Sequence, residues 1–450
     1  MQVVVDSWAW LPTGALGPEK VASLKEKLTV TPKHFKDYQP EPPDPIALFR
    51  EEKDRIGIPR EYFLTNKKDQ HDIDFRYSGS CPDGWPGIVF SENEALEPNQ
   101  QQGVETICKL FREGMSGGVL QGDCGYGKTV VALGVAAELN VPTLVTVHKE
   151  FLMNQWKARI KRFLPKAKVG IVQRDRCEFE DCQISIGMND SLISREYPDR
   201  FYKHFGLLIG DEVHRAGAPT WSRIPPMFPA RWRLGVTATP RRADAAEKVF
   251  LFQYGPIIFR GHIERIAPKI KRVYTNTYMP KSPYFNTGLA KRPIIVNILV
   301  RIKKRNEIIV DQIVRAAQAG RKILVLSERR DTHLPVLHKM IDAAWPTTGN
   351  ALTVDYMVGG RSEEELIKAE EAQIVLATSQ YAKEGLDIPP LDTLVLATPM
   401  GDVEQAVGRI QRDYPGKKDP VVVDIRDDEI GLCKGLGEAR ERFYARKQWL

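Results

Sequence analysis

Eight residues, Gly122-Asp123-Cys124-Gly125-Tyr126-Gly127-Lys128-Thr129, have the types and spacing of a loop that holds a polyphosphate, G-x-x-x-x-G-K-T. Successive backbone N–H groups must converge on phosphate oxygens, and glycines let the chain turn that tightly without a Cβ clash. The apolar run Gly117-Gly118-Val119-Leu120 before it and Val130-Val131-Ala132-Leu133 after it predict a strand entering the loop and a helix leaving it. A helix N-terminus then faces the anion. Lys128 would set a point charge on the β- and γ-phosphates, and the Thr129 hydroxyl would hold Mg²⁺, so ATP and Mg²⁺ are the expected cofactors.

Asp211-Glu212-Val213-His214 follows the apolar run Phe205 to Ile209, which puts two acids at the carboxyl end of a buried strand. Carboxylates there are costly to desolvate unless they have a function. Asp211 can join the Mg²⁺ shell, and Glu212 can orient and deprotonate the water that attacks the γ-phosphate. Thr237-Ala238-Thr239 ends another apolar run; by themselves, such hydroxyls more often satisfy backbone groups. Gln405, Gly408, Arg409 and Arg412 have the i, i+3, i+4, i+7 spacing of one helix face. Two arginines there could stabilise transition-state charge across a domain interface, although a salt-bridged surface helix has the same spacing.

The elements that must position these groups follow from the apolar runs. Residues 96 to 255 alternate short runs (Gly118–Leu120, Thr143–Val147, Val169–Val172, Gln183–Ile186, Phe205–Ile209, Leu234–Thr237) with helical spacing. Runs at Lys322–Leu326, Gln373–Ala377, Thr393–Ala397 and Val421–Ile425 repeat the pattern. This predicts an α/β fold with two parallel-sheet domains in tandem, nucleotide binding at the first. The expected boundaries are 1–92 for a small N-terminal accessory domain with DNA binding as its candidate role, then 93–260 and 261–450. In the first of these, Trp8 and Trp10 are spaced to share one face of a strand, as core or as a DNA-facing pair.

The chain has 450 residues, 42% hydrophobic and 27% charged, as an ordinary soluble protein of two or three domains has. No apolar run nears the roughly 20 residues of a membrane helix, and the start MQVVVDSWAW lacks the basic residues of a signal peptide, so a cytoplasmic protein with no membrane partner is expected. Six scattered cysteines fit reduced thiols, and the close pair Cys177 and Cys182 lacks the second ligand pair of a structural zinc site. The net charge of +7 permits a polyanionic partner. Residues 1 to 95 carry 12 Lys and Arg against 16 Asp and Glu, so the positive excess lies later. It peaks between Lys269 and Arg305, where Lys271, Arg272 and eight other cations alternate with Tyr274, Tyr278, Tyr284 and Phe285. Cations there would neutralise phosphates while aromatic faces stack on bases or wedge a junction; the alternative is a solvated linker and the opening helix of the second domain.

Taken in order, GDCGYGKT, DEVH, GVTATP, ATSQYAKEGLDIP and QAVGRIQR resemble motifs I, II, III, V and VI of the superfamily 2 helicases. LVTVHKEFLMNQW and ILVLSERRDTHLPVL are similar to motifs Ia and IV. Within that superfamily LGVTATPRR and the H-x-x-x-L ending of motif IV resemble the phage branch-migration helicases of the UvsW kind, related to RecG and XPB. The resemblance implies two RecA-like domains with the nucleotide between them, forked, branched or four-way DNA as partner, a monomer, and the host cytoplasm if the gene is a phage's. It implies that His214 couples hydrolysis to motif III and that Gln405, Arg409 and Arg412 complete the site. It further implies that Gly385 and Asp387 lie near the ribose, and that His148 and Thr378 meet the DNA backbone. An adenine-reading element would align with Glu97-Pro98-Asn99-Gln100, keeping Gln100 but losing the Arg and Tyr of relatives, and Met188 stands where relatives often carry Thr. An RNA helicase would share this motor, and a binding module that uses ATP only as a conformational ligand is the other class.

Overall fold

A computed structural model describes residues 2–33, 44–67, 72–81, 83–123, 125–214, 221–238, 246–263, 265–279, 292–346, 351–384 and 388–450. The chain divides into two compact units, Met1–Ile263 and Glu264–Leu450.

The first unit opens with a small sheet. Its strands are β1 (Gln2–Val5), β2 (Trp8–Pro12), β5 (Arg50–Glu51), β6 (Arg55–Pro59) and β7 (Asp72–Phe75), ordered β5-β6-β2-β1-β7; β3 (Thr29–Val30) and β4 (Ile46–Ala47) pair separately. Trp8 and Trp10 do share a face, with ring centroids 6.3 Å apart. Trp10 is buried, its indole N–H donating to Asp6 Oδ1 at 3.1 Å and its ring 4.4 Å from the Arg55 guanidinium, whereas Trp8 is half-buried, so the core reading holds for Trp10 alone.

Among the described residues eight strands form the main sheet: β8 (Gly117–Gly122), β9 (Thr143–Val147), β10 (Val169–Gln173), β11 (Arg176–Cys177), β12 (Ile184–Met188), β13 (Leu207–Asp211), β14 (Trp232–Thr237) and β15 (Ile257–Gly261). The order is β11-β10-β12-β9-β13-β14-β8-β15, parallel except for the short β10-β11 hairpin. The apolar runs become strands because helices cover both faces, so every residue of β9 and β14 is buried. Two covering helices have the spacing to do this: Pro98–Arg112 turns Val104, Ile107, Cys108 and Phe111 inward, and Glu150–Phe163 turns Leu152, Met153, Trp156, Ile160 and Phe163 inward.

The small sheet is fastened to the main one by buried charge. Arg60, fully buried, meets Glu61 at 2.7 Å and donates to the carbonyls of Ala230 (2.7 Å) and Ser116 (3.3 Å). Ser116 Oγ donates back to Glu61 Oε2 at 2.9 Å. Arg233, also fully buried, donates to Ser7 O at 2.8 Å and Phe228 O at 3.1 Å. Ser116 precedes β8, and Ala230 and Arg233 flank the start of β14, so this junction lies at the amino ends of the strands, opposite the phosphate loop.

The second unit is one parallel sheet of β16 (Lys269–Tyr274), β17 (Ile323–Ser327), β18 (Val354–Met357), β19 (Ile374–Thr378), β20 (Thr393–Leu396) and β21 (Val421–Arg426), ordered β16-β21-β20-β17-β19-β18. Its apolar layers pack against helices that include Lys303–Gln318, Leu334–Ala344 and Gly431–Arg446. Among the described residues no helix is long and apolar enough to cross a membrane.

Candidate nucleotide and nucleic-acid sites

Strand order explains why three separated motifs meet. β13, β14 and β8 are adjacent and parallel, with Asp211 opposite Val236 and Thr237 opposite Gln121. The acids, the Thr237 hydroxyl and the phosphate loop therefore emerge side by side at one carboxyl edge, where open parallel sheets bind ligands.

The loop leaves β8 at Gly122 and enters the helix Lys128–Leu139 through Gly127, with φ of +84° at Gly125 and +87° at Gly127. Those left-handed angles are why glycine stands at both positions. Lys128 Nζ donates to the carbonyls of Gly122 (3.0 Å) and Asp123 (3.3 Å), which holds the ammonium inside the loop. Thr129 follows in the first helical turn. Gln100 is positioned by a capping box: Glu97 N–H donates to Gln100 Oε1 at 3.2 Å, and Gln100 Nε2 donates to Tyr126 O at 3.0 Å. One end of this amide thus caps its own helix and the other holds the loop, and a Cβ on Gly127 would meet Gln100 Nε2 at 2.5 Å.

Asp211 accepts from the indole N–H of Trp156 at 2.9 Å. Burial, and then the charge of Glu212 beside it, holds its carboxyl well above the usual carboxylate range. Glu212 adopts φ of +50°, a left-handed angle rare for a non-glycine residue and concentrated at functional sites. Its carboxylate lies 3.1 Å from His214 Nδ1, and the same nitrogen is 2.9 Å from the hydroxyl of Thr237, which is fully buried. His214 Nδ1 therefore lies within reach of both the second acid and the hydroxyl at the end of β14. The donor set of Thr129 hydroxyl and Asp211 carboxylate is made of hard oxygens, and two crowded carboxyls are what a divalent cation relieves, so these residues fit Mg²⁺.

In the second unit Ser327 and Thr378 end neighbouring strands at one register position. Thr378 Oγ1 accepts from Tyr381 N at 3.3 Å, opening the helix Ser379–Glu384. Gln405 and Arg409 lie on the helix Glu404–Ile410, with Arg409 Nε donating to Ala382 O at 3.2 Å. The expected four-residue helix face is shorter than its spacing suggests, because the helix ends at Ile410 and Arg412 follows in a bend. Pro415, which disfavours helix at Tyr414, and Gly416 at φ +75° keep the helix from resuming further on. Gly385, Asp387, Thr239, Tyr284 and Phe285 lie outside the described residues.

The nucleic-acid candidates divide. His148 is buried at the end of β9, with the more accessible Lys149 beside it. Lys271 is exposed on β16, the edge strand, and Tyr274 and Tyr278 are 53% and 67% exposed. Arg272 is tied to Glu441 by two bonds of 2.7 and 2.8 Å. Arg305, read as a phosphate partner, is instead buried against Asp427 at 2.8 and 2.9 Å. Arg292 pairs with Glu328. The basic passage is thus partly internal structure, because a strand and two helices of the second unit run through it.

The sequence reading missed one polar chain. Ser327 Oγ is 2.9 Å from His333 Nδ1, His333 Nε2 is 3.1 Å from Asn306 Oδ1, and Arg329 N–H donates to Ser327 Oγ at 3.0 Å. All three side chains are buried. Three polar residues on separate elements, a strand end, a helix cap and a mixed helix, give no spacing signal.

A family model described as "Type III restriction enzyme, res subunit" matches residues 93–242. The chain is 32% identical over 442 residues to "Putative ATP-dependent RNA helicase L396" of Acanthamoeba polyphaga mimivirus, covering 96% of this chain and 82% of that one. It is 24% identical over 417 residues to "DNA 3'-5' translocase XPB2" of Sulfurisphaera tokodaii, covering 85% and 90%. The crystal structure of T4 UvsW aligns over 99% of this chain and 97% of its own, at 17% identity and a TM-score of 0.38. With the phosphate loop, the paired acids and the His214–Thr237 link at one sheet edge, the chain belongs to the superfamily 2 helicases.

Proposed function

We propose that this helicase is an ATP-driven DNA translocase that remodels forks and four-way junctions in recombination, replication and repair. The observation that carries the motor chemistry is the Glu212–His214–Thr237 chain beside the phosphate loop. Lys128 binds the β- and γ-phosphates in place of the two carbonyls it now meets. Thr129 and Asp211 would hold Mg²⁺, which supplies charge neutralisation on the phosphate oxygens when bound. Glu212 orients the attacking water and takes its proton, and His214 passes the state of that carboxylate to Thr237. Gln405, Arg409 and Arg412 act on the same phosphates from the second unit, with Gly385 and Asp387 near the ribose. His148 with Lys149, Thr378, Lys271, Arg272, Tyr284 and Phe285 serve the DNA strand.

The preference for branched DNA is supported by the likeness of LGVTATPRR and the His333 to Leu337 segment to phage branch-migration helicases. One finding favours a second reading, unwinding of RNA: the mimivirus relative is named an RNA helicase. Matched substrates decide between them. A four-way DNA junction, a tailed DNA duplex and a tailed RNA duplex are offered with ATP. Preferential processing of the junction is expected, and opening of the RNA duplex alone would refute the DNA assignment while leaving the motor intact.

A further inference from the structure

Two loop residues that the phosphate motif leaves free in type, Asp123 and Tyr126, are both used. Asp123 N–H donates to Gly261 O at 3.1 Å, and Asp123 Oδ2 accepts from Ile263 N–H at 3.3 Å and lies 3.5 Å from His262 Nδ1. Tyr126 is buried, with its hydroxyl donating to Asn99 O at 2.7 Å. Its ring fills the space above Gly261 so closely that a Cβ there would come within 2.3 Å of it. β15 continues past its last ladder pair, Gly261 opposite Gly122, directly into these contacts.

Residues 261–263 are the last of the first unit, and the second unit begins at Glu264. The chain that leaves for the second unit is therefore hydrogen-bonded to the loop that holds the phosphates. Asp123 thus stands in both sets of contacts: its carbonyl, with that of Gly122, meets the Lys128 ammonium, while its N–H and side chain hold Gly261 and Ile263.

We infer that Asp123 and Tyr126 are positioning residues that carry the occupancy of the phosphate loop to the start of the inter-unit connection through Gly261, His262 and Ile263. Neither residue is required to touch nucleotide for this, and a packing role alone would not make the connection respond to it. The inference rests on the ATP-site reading.

The test is hydrogen exchange of peptides 119–131 and 257–268 in the full chain, with and without a saturating non-hydrolysable ATP analogue and Mg²⁺. In the native protein both peptides should change, 257–268 by about fivefold or more in rate. Asp123→Ala should keep the change at 119–131 and lose it at 257–268. Asp123→Asn, whose amide oxygen still accepts from Ile263, should restore it. Ile263→Pro removes the donor from the other side and should repeat the loss, so the bond is tested even if one variant folds poorly. A native 257–268 that ignores the analogue while 119–131 responds overturns the coupling alone, as does an undiminished response in both Asp123→Ala and Ile263→Pro. If neither peptide responds in the native protein, the ATP-site reading falls and takes the coupling with it.

Discussion

His333 gives a stability effect whose size can be worked out. The ring is fully buried between Ser327 and Asn306, and burial, then the Arg305 charge, pushes its pKa down to about 3. The free side chain titrates near about 6.5. The sign follows from those two values. Above about pH 6.5 neither state binds the proton; as pH falls below it the unfolded chain takes one up and the folded chain does not, so stability is lost from there down to about pH 3. Between pH 7 and pH 5 this single residue should cost the second unit about 2 kcal/mol. Replacing it by glutamine removes the titration whatever it does to stability at pH 7. The assay is hydrogen exchange of the helix Lys303–Gln318 across a urea series at both pH values, which reads the opening of that unit. Other titrating groups are common to both proteins and cancel in the comparison. His333→Gln should therefore lose about 2 kcal/mol less than the native chain between pH 7 and pH 5. Equal losses in the two proteins would refute the assignment of a buried, neutral imidazole.

Other perturbations bear on the scaffold and on coupling. Arg60→Met leaves Glu61 buried beside Ser116 without its cation and should destabilise the first unit by about 3–5 kcal/mol, read by thermal unfolding; a loss under about 1 kcal/mol would mean the small sheet is held otherwise. Thr237→Ala removes the hydroxyl that meets His214, so strand separation should fall by about tenfold while nucleic-acid-stimulated ATP hydrolysis stays within about threefold. Parallel losses in both activities would show that the hydroxyl serves only hydrolysis.

Much of the first unit's site was legible because its determinants are local. Glycines at fixed offsets before Lys128, and acids directly after an apolar run, report strand ends without knowledge of the partners. Strand existence was equally legible in β9, β12, β13, β17, β19, β20 and β21, whose burial on both faces demands continuous apolar runs. The edge strands β15, β16 and β18 were not anticipated, since one open side lets Arg260, Lys271 and Asp355 interrupt the pattern. The partners of the cations were hidden as well. Arg60, Arg233 and Arg305 look like surface residues in sequence, and only the fold brings Glu61, Ser7 O and Asp427 to them. Gln100 shows the same limit: only the fold reveals that its amide caps its own helix and meets Tyr126 O.

The most direct measurement is phosphate release and strand separation by the native chain, Lys128→Ala and Glu212→Gln, with ATP binding followed in parallel. The native chain should hydrolyse ATP and separate strands, and Lys128→Ala should do neither. Glu212→Gln should still bind ATP while hydrolysis falls by about 10²–10⁴-fold, the usual contribution of a positioned base. Robust phosphate release from either variant would contradict the site, and with it the claim that this loop and these acids drive the helicase.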